Sequence, residues 1–298
     1  MTQDAPSPQR VSLGKRLRRC RSFACAGVFA NWDDFPESVQ ARIREASTIY
    51  YPSRLYQDLF LAVGKAVFPR NYYRFMGDKI RQTELFQFLD IPHPRTRIYP
   101  GKKIPDAIER DFPYPFVAKD PIGSSQGRGV WLIRTRAELT AYLDRPHPAY
   151  IQEYLPLTRD LRVVLVAGHV IHAYWRIARA GEFRNNVSRG AAISFEGIPG
   201  SALEFAMEVA ARCRFDDVGL DICCCGERTY VLEANMVYGL EGFRALGLDL
   251  YDLLAELDRG GRLGGGGMGE WVERGIEESR NAGRDEEREM VSWSGVRW

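Results

Sequence analysis

Three oxygen-bearing side chains late in the chain, Asp221, Glu233 and Asn235, have the spacing of a metal site built on a hairpin. Residues 218–224 and 230–235 read as two apolar strands around a Gly226-Glu227-Arg228 turn. A turn centred on Glu227 sets Asp221 opposite Glu233, and the period of two along a strand puts Asn235 on the same face. Two carboxylates at cross-strand distance repel unless a cation sits between them. Two carboxylates and an amide oxygen are hard donors, suited to Mg2+ completed by water and phosphate oxygens. A solvent-facing pair of acids is the plainer alternative. The apolar neighbours Val218, Leu220, Ile222, Val231 and Leu232 make these strands core-like and favour the metal.

A second stretch runs Phe116-Val-Ala-Lys119-Asp-Pro-Ile-Gly123-Ser124-Ser125-Gln126-Gly127-Arg128-Gly129-Val130. Glycines let backbone N–H groups approach phosphate oxygens, although a glycine-rich hairpin turn is equally common. A P-loop needs Gly-Lys-Ser/Thr before a helix, and here Gly129 precedes a strand. Gly123-Ser124-Ser125-Gln126-Gly127 matches the hydrolase GxSxG elbow, which also needs a following helix. A kinase loop places its lysine after the glycines, whereas Lys119 precedes them. What remains is a strand–glycine hairpin covering a nucleotide, with Lys119 on the strand floor reaching a phosphate.

Two further patterns are weaker. Ile151-Gln152-Glu153-Tyr154-Leu155-Pro156 is a strand edge ending at proline, which leaves backbone donors and acceptors that an adenine ring can use. Asp160, just beyond it, can accept from ribose hydroxyls. Arg176-Ile-Ala-Arg179 and Phe183-Arg184-Asn185-Asn186 set Arg184 and Asn186 in an extended loop. There a guanidinium and an amide can meet a developing phosphoryl charge. On residues alone, a hydrogen-bonding surface loop is the stronger reading of that segment.

The elements that must position these groups alternate between helix and hairpin. A helix over 78–89 stops before Ile91-Pro92-His93-Pro94, where prolines forbid continuation. Strands are expected over 116–118 and 130–133. A helix follows from the Thr135-Arg-Ala-Glu138 capping box to about Asp144. Further strands fall at 150–153, 161–167 and 170–175, the last two joined by a Gly168-His169 turn. Ser201-Ala-Leu-Glu204 reads as a second capping box, opening a helix to about Arg214. A final helix covers 249–257. Hairpins among helices argue for an α+β fold, not a purely parallel doubly wound sheet.

The domain reading is a basic, disordered tail at 1–21, a small α/β unit at 22–77, an α+β domain at 78–262, and a Gly linker with a charged tail at 263–298. The six basic residues between Arg10 and Arg21, with no acid among them, read as a solvated run. Residues 23–30 imitate a signal peptide but contain no Leu or Ile, and read instead as the first strand. The aromatic-dense segment 50–75 reads as a helical core face in preference to a base-stacking surface. Forty-one basic against 39 acidic residues give a net charge of +2, so no strong field for nucleic acid or acidic membrane is present. No apolar run reaches membrane-spanning length. The six cysteines, Cys20, Cys25, Cys213, Cys223, Cys224 and Cys225, contain no CxxC and are expected as buried, reduced thiols in a cytoplasmic protein.

Taken in order, these pieces resemble the ATP-grasp superfamily, specifically its RimK-type glutamate ligase and glutathione-synthetase-like branch. The likeness runs from Asp78-Lys79 through Lys119, Ser125-Gln126-Gly127-Arg-Gly129, Gln152-Glu153-Tyr154, Asp160-Leu-Arg162, Arg176-Ile-Ala and Arg184-Asn185-Asn186. It continues through Gly219-Leu-Asp221 and Glu233-Ala-Asn235 to Gly239-Leu-Glu241-Gly242. The resemblance implies ATP clasped between two α+β subdomains, preceded by a small α/β domain. Lys79 and Lys119 would hold phosphates, and Glu153, Tyr154 and Leu155 would present the adenine edge. Asp160 would reach the ribose. Arg184 and Asn186, with Arg176, would meet the phosphates and serve the chemistry. Asp221, Glu233 and Asn235 would carry Mg2+ or Mn2+.

The implied reaction is an ATP-dependent ligation of a carboxylate to an amine through an acylphosphate, such as the addition of glutamate or another amino acid to a protein or small molecule. The alternative is an ATP-binding module without ligase activity. The expected partners are carboxylate and amine substrates and, by the habit of relatives, further copies of the chain; nucleic acid and membrane are not expected. The chain departs from the family after Asn235: Met236-Val237-Tyr238-Gly239 stands where a small residue and Pro-Gly are common, in a loop that borders the acceptor site. Residues 22–77 match the family's leading domain poorly.

Overall fold

The computed structural model describes residues 10–100, 105–123, 129–145, 148–178, 191–226 and 228–263. The first unit is a parallel sheet of short strands, β1 (Arg10–Ser12), β2 (Phe23–Cys25), β3 (Thr48–Tyr50) and β4 (Ala66–Phe68), in the order β2-β1-β3-β4. Helices α1 (Glu37–Glu45) and α2 (Ser53–Ala62) cover one face, burying Ile43, Tyr56 and Phe60 against Val11, Ile49 and Val67.

This arrangement corrects the expected tail. Residues 10–12 are a central strand, and Leu13 and Leu17 are fully buried. Of the six basic residues Lys15, Arg18, Arg19 and Arg21 are exposed, as expected of a solvated run, but Arg10 and Arg16 are not. Arg10 and Arg16 pair with the buried carboxylates of Asp258 and Asp217. It follows that residues 23–25 form the second strand, not the first. The aromatic segment is not one helical face but is shared among β3, α2, β4 and α3 (Tyr72–Phe75).

Helix α4 (Lys79–Phe88) then leads into an antiparallel sheet. Its strands are β5 (Thr96–Tyr99), β6 (Phe116–Lys119), β7 (Val130–Ile133) and β8 (Ala149–Glu153), in the order β5-β8-β6-β7. Helices α5 (Pro105–Asp111) and α6 (Arg136–Leu143) back it, and Thr135 and Glu138 form the expected capping box at α6. Within the β6–β7 hairpin Gly129 has φ +69°, and a Cβ there would lie 2.5 Å from Asp120 Oδ2, so the turn needs glycine at that point.

The third sheet contains β9 (Arg159–Val166), β10 (His169–Ile177), β11 (Ala192–Ser194), β12 (Asp217–Cys225) and β13 (Arg228–Asn235), in the order β11-β10-β9-β12-β13. Its two faces follow the period of two. Leu161, Val163, Leu165, Val218, Leu220 and Ile222 face helix α7 (Gly200–Cys213), which buries Ala202, Ala206, Val209, Ala210 and Cys213 against them. Val164 and Val166 face the opposite side, where Leu17, Tyr50 and Tyr51 of the first unit and Leu250, Leu253, Leu254 and Leu257 of α9 close the core. Helix α8 (Glu241–Ala245) precedes α9 (Leu250–Arg259).

Three local expectations change. Helix α7 begins at Gly200 after Pro199 with no side-chain cap, so Ser201 and Glu204 lie inside it and form no capping box. The β9–β10 turn is Ala167-Gly168, not Gly168-His169. Both central residues have positive φ, the two-residue turn whose twist matches the flanking strands. Cys25, Cys224 and Cys225 are exposed, and only Cys20, Cys213 and Cys223 are buried. The β12–β13 hairpin runs past Ile222, the last β12 residue paired with β9, and carries Cys224 and Cys225 into solvent.

Candidate functional site

The antiparallel register pairs Asp221 with Glu233 and Gly219 with Asn235 as expected, but not through a turn centred on Glu227: Cys225 already pairs with Arg228, and a bulge between Asp221 and Ile222 shifts the register by the one residue that brings Glu233 opposite Asp221. The neighbouring pairing sets Asp221 beside Arg162 of β9. Alternation along β9 brings Asp160 to the same face, and Arg176 of β10 is its register partner. These residues form a buried ladder of charge. Asp160 Oδ1 is 2.6 Å from Arg176 Nε, and Arg176 Nη2 is 3.0 Å from Asp221 Oδ2. Arg162 clasps Asp221 with Nε at 2.5 Å and Nη2 at 3.2 Å. Asn235 Nδ2 donates to Asp221 Oδ2 at 3.2 Å.

Burial pushes both aspartates toward the neutral form. At Asp221 two arginines outweigh it and hold the carboxyl below its ordinary value. Asp160 is buried beside Asp221, and although Arg176 bonds it the burial leaves its carboxyl above its ordinary value. Arg176 therefore bridges Asp160 and Asp221. Arg162 was given no role from sequence, although it stands in the Asp160-Leu-Arg162 motif. The signal for Arg162 was its place two residues after Asp160 on a strand.

Helix α4 ties the two antiparallel sheets together. Its N-cap Asp78 accepts from Arg81 N at 3.0 Å, and Lys79 opens the helix with Nζ 3.1 Å from Glu233 Oε1. One turn on, the buried amide of Gln82 clamps the backbone between the two β13 donors: Nε2 donates to Ala234 O at 2.7 Å and Ala234 N donates to Oε1 at 3.1 Å. Thr83 Oγ1 meets Tyr150 OH of β8 at 2.7 Å. Lys79 N donates to Pro121 O and Gly123 N to Gly77 O, so the start of α4 is stitched to the glycine-rich hairpin. Gln82 and Thr83 escaped the sequence reading because polar residues on a helix ordinarily read as solvent-facing.

Lys119 ends β6, is nine-tenths buried, and lies within electrostatic reach of Glu233, Asp221 and Lys79. Burial lowers its pKa to about 8, with Lys79 adding to the fall and Glu233 opposing it. Gln152 spends its side-chain amide on Thr96 Oγ1 at 2.9 Å, inside the sheet. Glu153 Oε1 accepts from Arg95 N at 2.6 Å. Tyr154 and Leu155 are half-buried in the connector from β8 to β9, between the two sheets. Ser125, Gln126, Gly127, Arg184 and Asn186 lie outside the described residues.

The donor set fits a hard divalent ion. Asp221, Glu233 and Asn235 share one sheet face, and cationic side chains neutralise both carboxylates. Among the described residues, Lys79, Lys119, Arg162 and Arg176 set four positive charges against three from Asp160, Asp221 and Glu233. The surplus is positive, which favours a polyphosphate with its metal over a metal alone.

Two antiparallel sheets facing across a charged cleft, behind a small parallel-sheet unit, define the ATP-grasp fold. The same fold is found in a RimK domain ATP-grasp protein from Sphaerobacter thermophilus, with TM-score 0.59, 15% identity, and coverage of 83% of this chain and 98% of that one. It recurs in the D-alanine–D-alanine ligase of Bacillus anthracis, with TM-score 0.57, 12% identity, and coverage of 85% and 98%.

Residues 76–257 match the model of the RimK-like ATP-grasp domain, and the chain belongs to that family. The ribosomal protein bS6–L-glutamate ligase of Escherichia coli O139:H28 is 33% identical over 181 residues, covering 58% of this chain and 60% of the relative. The chain thus spans about 60% of the length of the curated relatives it matches. No helix among the described residues is long and apolar enough to cross a membrane.

Proposed function

We propose that this chain is an ATP-dependent carboxylate–amine ligase that uses Mg2+ or Mn2+, activates a carboxylate as an acylphosphate and releases an amide, ADP and phosphate. The observation that carries the reading is the convergence of Asp221, Glu233 and Asn235 on one face, with Lys79 of α4 on Glu233 and Lys119 of β6 close by. Asp221, Glu233 and Asn235 would hold the metal, which when bound supplies charge neutralisation on the transferring phosphoryl group. Lys79 and Lys119 would hold phosphate oxygens, and the connector at Glu153, Tyr154 and Leu155 would offer the adenine edge. Asp160 would serve the ribose. Arg176, Arg184 and Asn186 would meet the phosphoryl oxygens, with Ser125, Gln126, Gly127 and Gly129 in the covering hairpin. Such chemistry needs in-line positioning and electrostatic stabilisation, and no protein nucleophile.

The acceptor class in this reading is an amino acid joined to a protein or peptide. One similar protein is named for ligating L-glutamate to a ribosomal protein, and one of the same fold is described in complex with a precursor peptide. A cytoplasmic location and self-association belong to the same proposal. The departure at Met236-Val237-Tyr238 favours one second reading, an ATP-binding module without ligase activity.

The test is ADP release with ATP, Mg2+ and a mixed library of acids and amines, with mass-spectrometric detection of the amide. Glu233→Gln should lower turnover by roughly 100-fold or more while the fold is retained. Undiminished turnover would remove the metal argument. Tight ATP binding with no stimulated ADP release would favour the module.

A further inference from the structure

The face of β12 that carries Asp221 continues, two residues at a time, to Cys223 and Cys225. The bulge beside Asp221 puts its extra residue, Leu232, on β13, so the alternation of β12 is unbroken. The register adds two rungs to that face, Cys223 opposite Tyr230 and Cys225 opposite Arg228. Cys223 is fully buried. It follows Ile222, whose partner on β9 is Leu161, and it lies within electrostatic reach of both Asp160 and Lys119. Lys119 belongs to the second sheet, so Cys223 faces the cleft between the sheets.

Cys224 points the other way. Its Sγ accepts from Thr229 Oγ1 at 3.9 Å, on the opposite face of the hairpin. Cys224 and Cys225 are both exposed. Adjacent thiols thus open onto opposite faces of one strand, and only one of those faces carries Asp221. A small apolar role accounts for the buried Cys223. It does not account for two thiols in solvent at the end of a strand pair.

The antiparallel β12 ends where β9 begins, and the connector from β8 enters β9 at that same end. A nucleotide with its phosphates at Asp221 and Lys119 and its ribose at Asp160 has its base at this end. Cys225 stands about 13 Å along the strand from Asp221, at the mouth of the cleft beyond the base.

We propose that Cys225 is a thiol-modification site at the base end of the nucleotide cleft, where a mixed disulfide with a glutathione-type tripeptide excludes ATP, and that an adduct on the neighbouring Cys224 is without effect. The proposal rests on the nucleotide part of the function proposed above. The Cys225 thiolate attacks one sulfur of the oxidised tripeptide. The S–S bond of the reagent breaks, and a new S–S bond joins Cys225 to one half. The other half leaves as a thiolate and takes up the proton that Cys225 gave up. Cys225 is thereby oxidised and one reagent sulfur is reduced. Exposure admits the reagent to Cys225, and the Arg228 cation opposite it attracts the acidic tripeptide. Cys223 is covered and takes no part.

The test treats the full chain with oxidised glutathione and maps occupancy at Cys25, Cys224 and Cys225 by peptide mass spectrometry. ATP with Mg2+ is titrated before and after. The treated chain should bind ATP at least about tenfold more weakly, and dithiothreitol should restore the affinity. Cys225→Ser should abolish the loss, and Cys224→Ser should retain it. Saturating ATP should shield Cys225 while Cys224 and Cys25 still react. Unchanged ATP affinity at full occupancy of Cys225 overturns this proposal alone, as does a loss that persists in Cys225→Ser. A Cys225 that takes no adduct has the same consequence, as does a loss matched by unfolding of the treated chain at the assay temperature. A reduced chain that binds no ATP overturns this proposal and the nucleotide reading together.

Discussion

Burial takes the Lys119 ammonium down to about 8 while Glu233 pulls the other way, so its charge changes close to neutral pH. If Lys119 holds a phosphate, nucleotide affinity should fall as pH rises through about 8, measured by titrating ATP with Mg2+ across pH 6.5–9.5 (a range on the order of the shift). The stability effect has the opposite sign. Between the folded value near 8 and the ordinary lysine value of 10.5, the unfolded chain binds more protons, so stability rises with pH across that window. Lys119→Met should remove both effects, and an unchanged pH profile of ATP affinity would show that another group titrates. Gly219 offers a second test at this scale. Gly219→Ala places a methyl group against Tyr238 and Arg162 and should cost about 1–3 kcal/mol in chemical denaturation, with weaker Mg-ATP binding as Arg162 is displaced from Asp221.

At the scale of elements, α4 sets the geometry between the sheets. Gln82→Leu keeps the volume roughly but strips Ala234 of both its partners, leaving a buried N–H and C=O unmatched. The expected cost is about 1–3 kcal/mol per group in urea unfolding, together with a loss of Mg2+-dependent ATP affinity as Glu233 and Asn235 lose their fixed backbone. A stable variant with normal affinity would mean that β13 is held by its pairing with β12 alone.

The facing of Asp221 and Glu233 was legible in the sequence because only that pairing keeps both strands' apolar residues on the core face, whereas the bulge that achieves it, between Asp221 and Ile222, was not. The α6 capping box was legible for an equally local reason. Arg162 and Gln82 were not, since their partners lie 59 and 152 residues away and their own surroundings in the chain carry no period that betrays a buried polar role. The same limit hid β1: three residues of strand between basic side chains look solvated until distant Asp217 and Asp258 are placed beside them. The Ser201 box failed because Pro199 occupies the N-cap, two positions before serine, and the helix starts at Gly200.

For the whole molecule, the segment before β2 decides whether the first unit and the third sheet form one body. β1 lies between β2 and β3, Leu17 packs in the core shared with α9, and Arg16 reaches Asp217 at the root of β12. Removing residues 1–21 would break the parallel sheet at its centre and strand a fully buried Asp217 carboxylate with only tyrosine hydroxyls for company. Breaking a buried pair by deleting one partner costs about 3–5 kcal/mol, and the lost sheet adds to that. The truncated chain should therefore lose cooperative unfolding or express insolubly. Arg16→Ala alone should lower stability toward the bottom of that range, since its side chain is about a fifth exposed. A dispensable basic arm makes the contrary forecast, an unaltered melting curve for the truncated chain. That outcome would separate the first sheet from the third and leave the Arg16–Asp217 pair without a structural role.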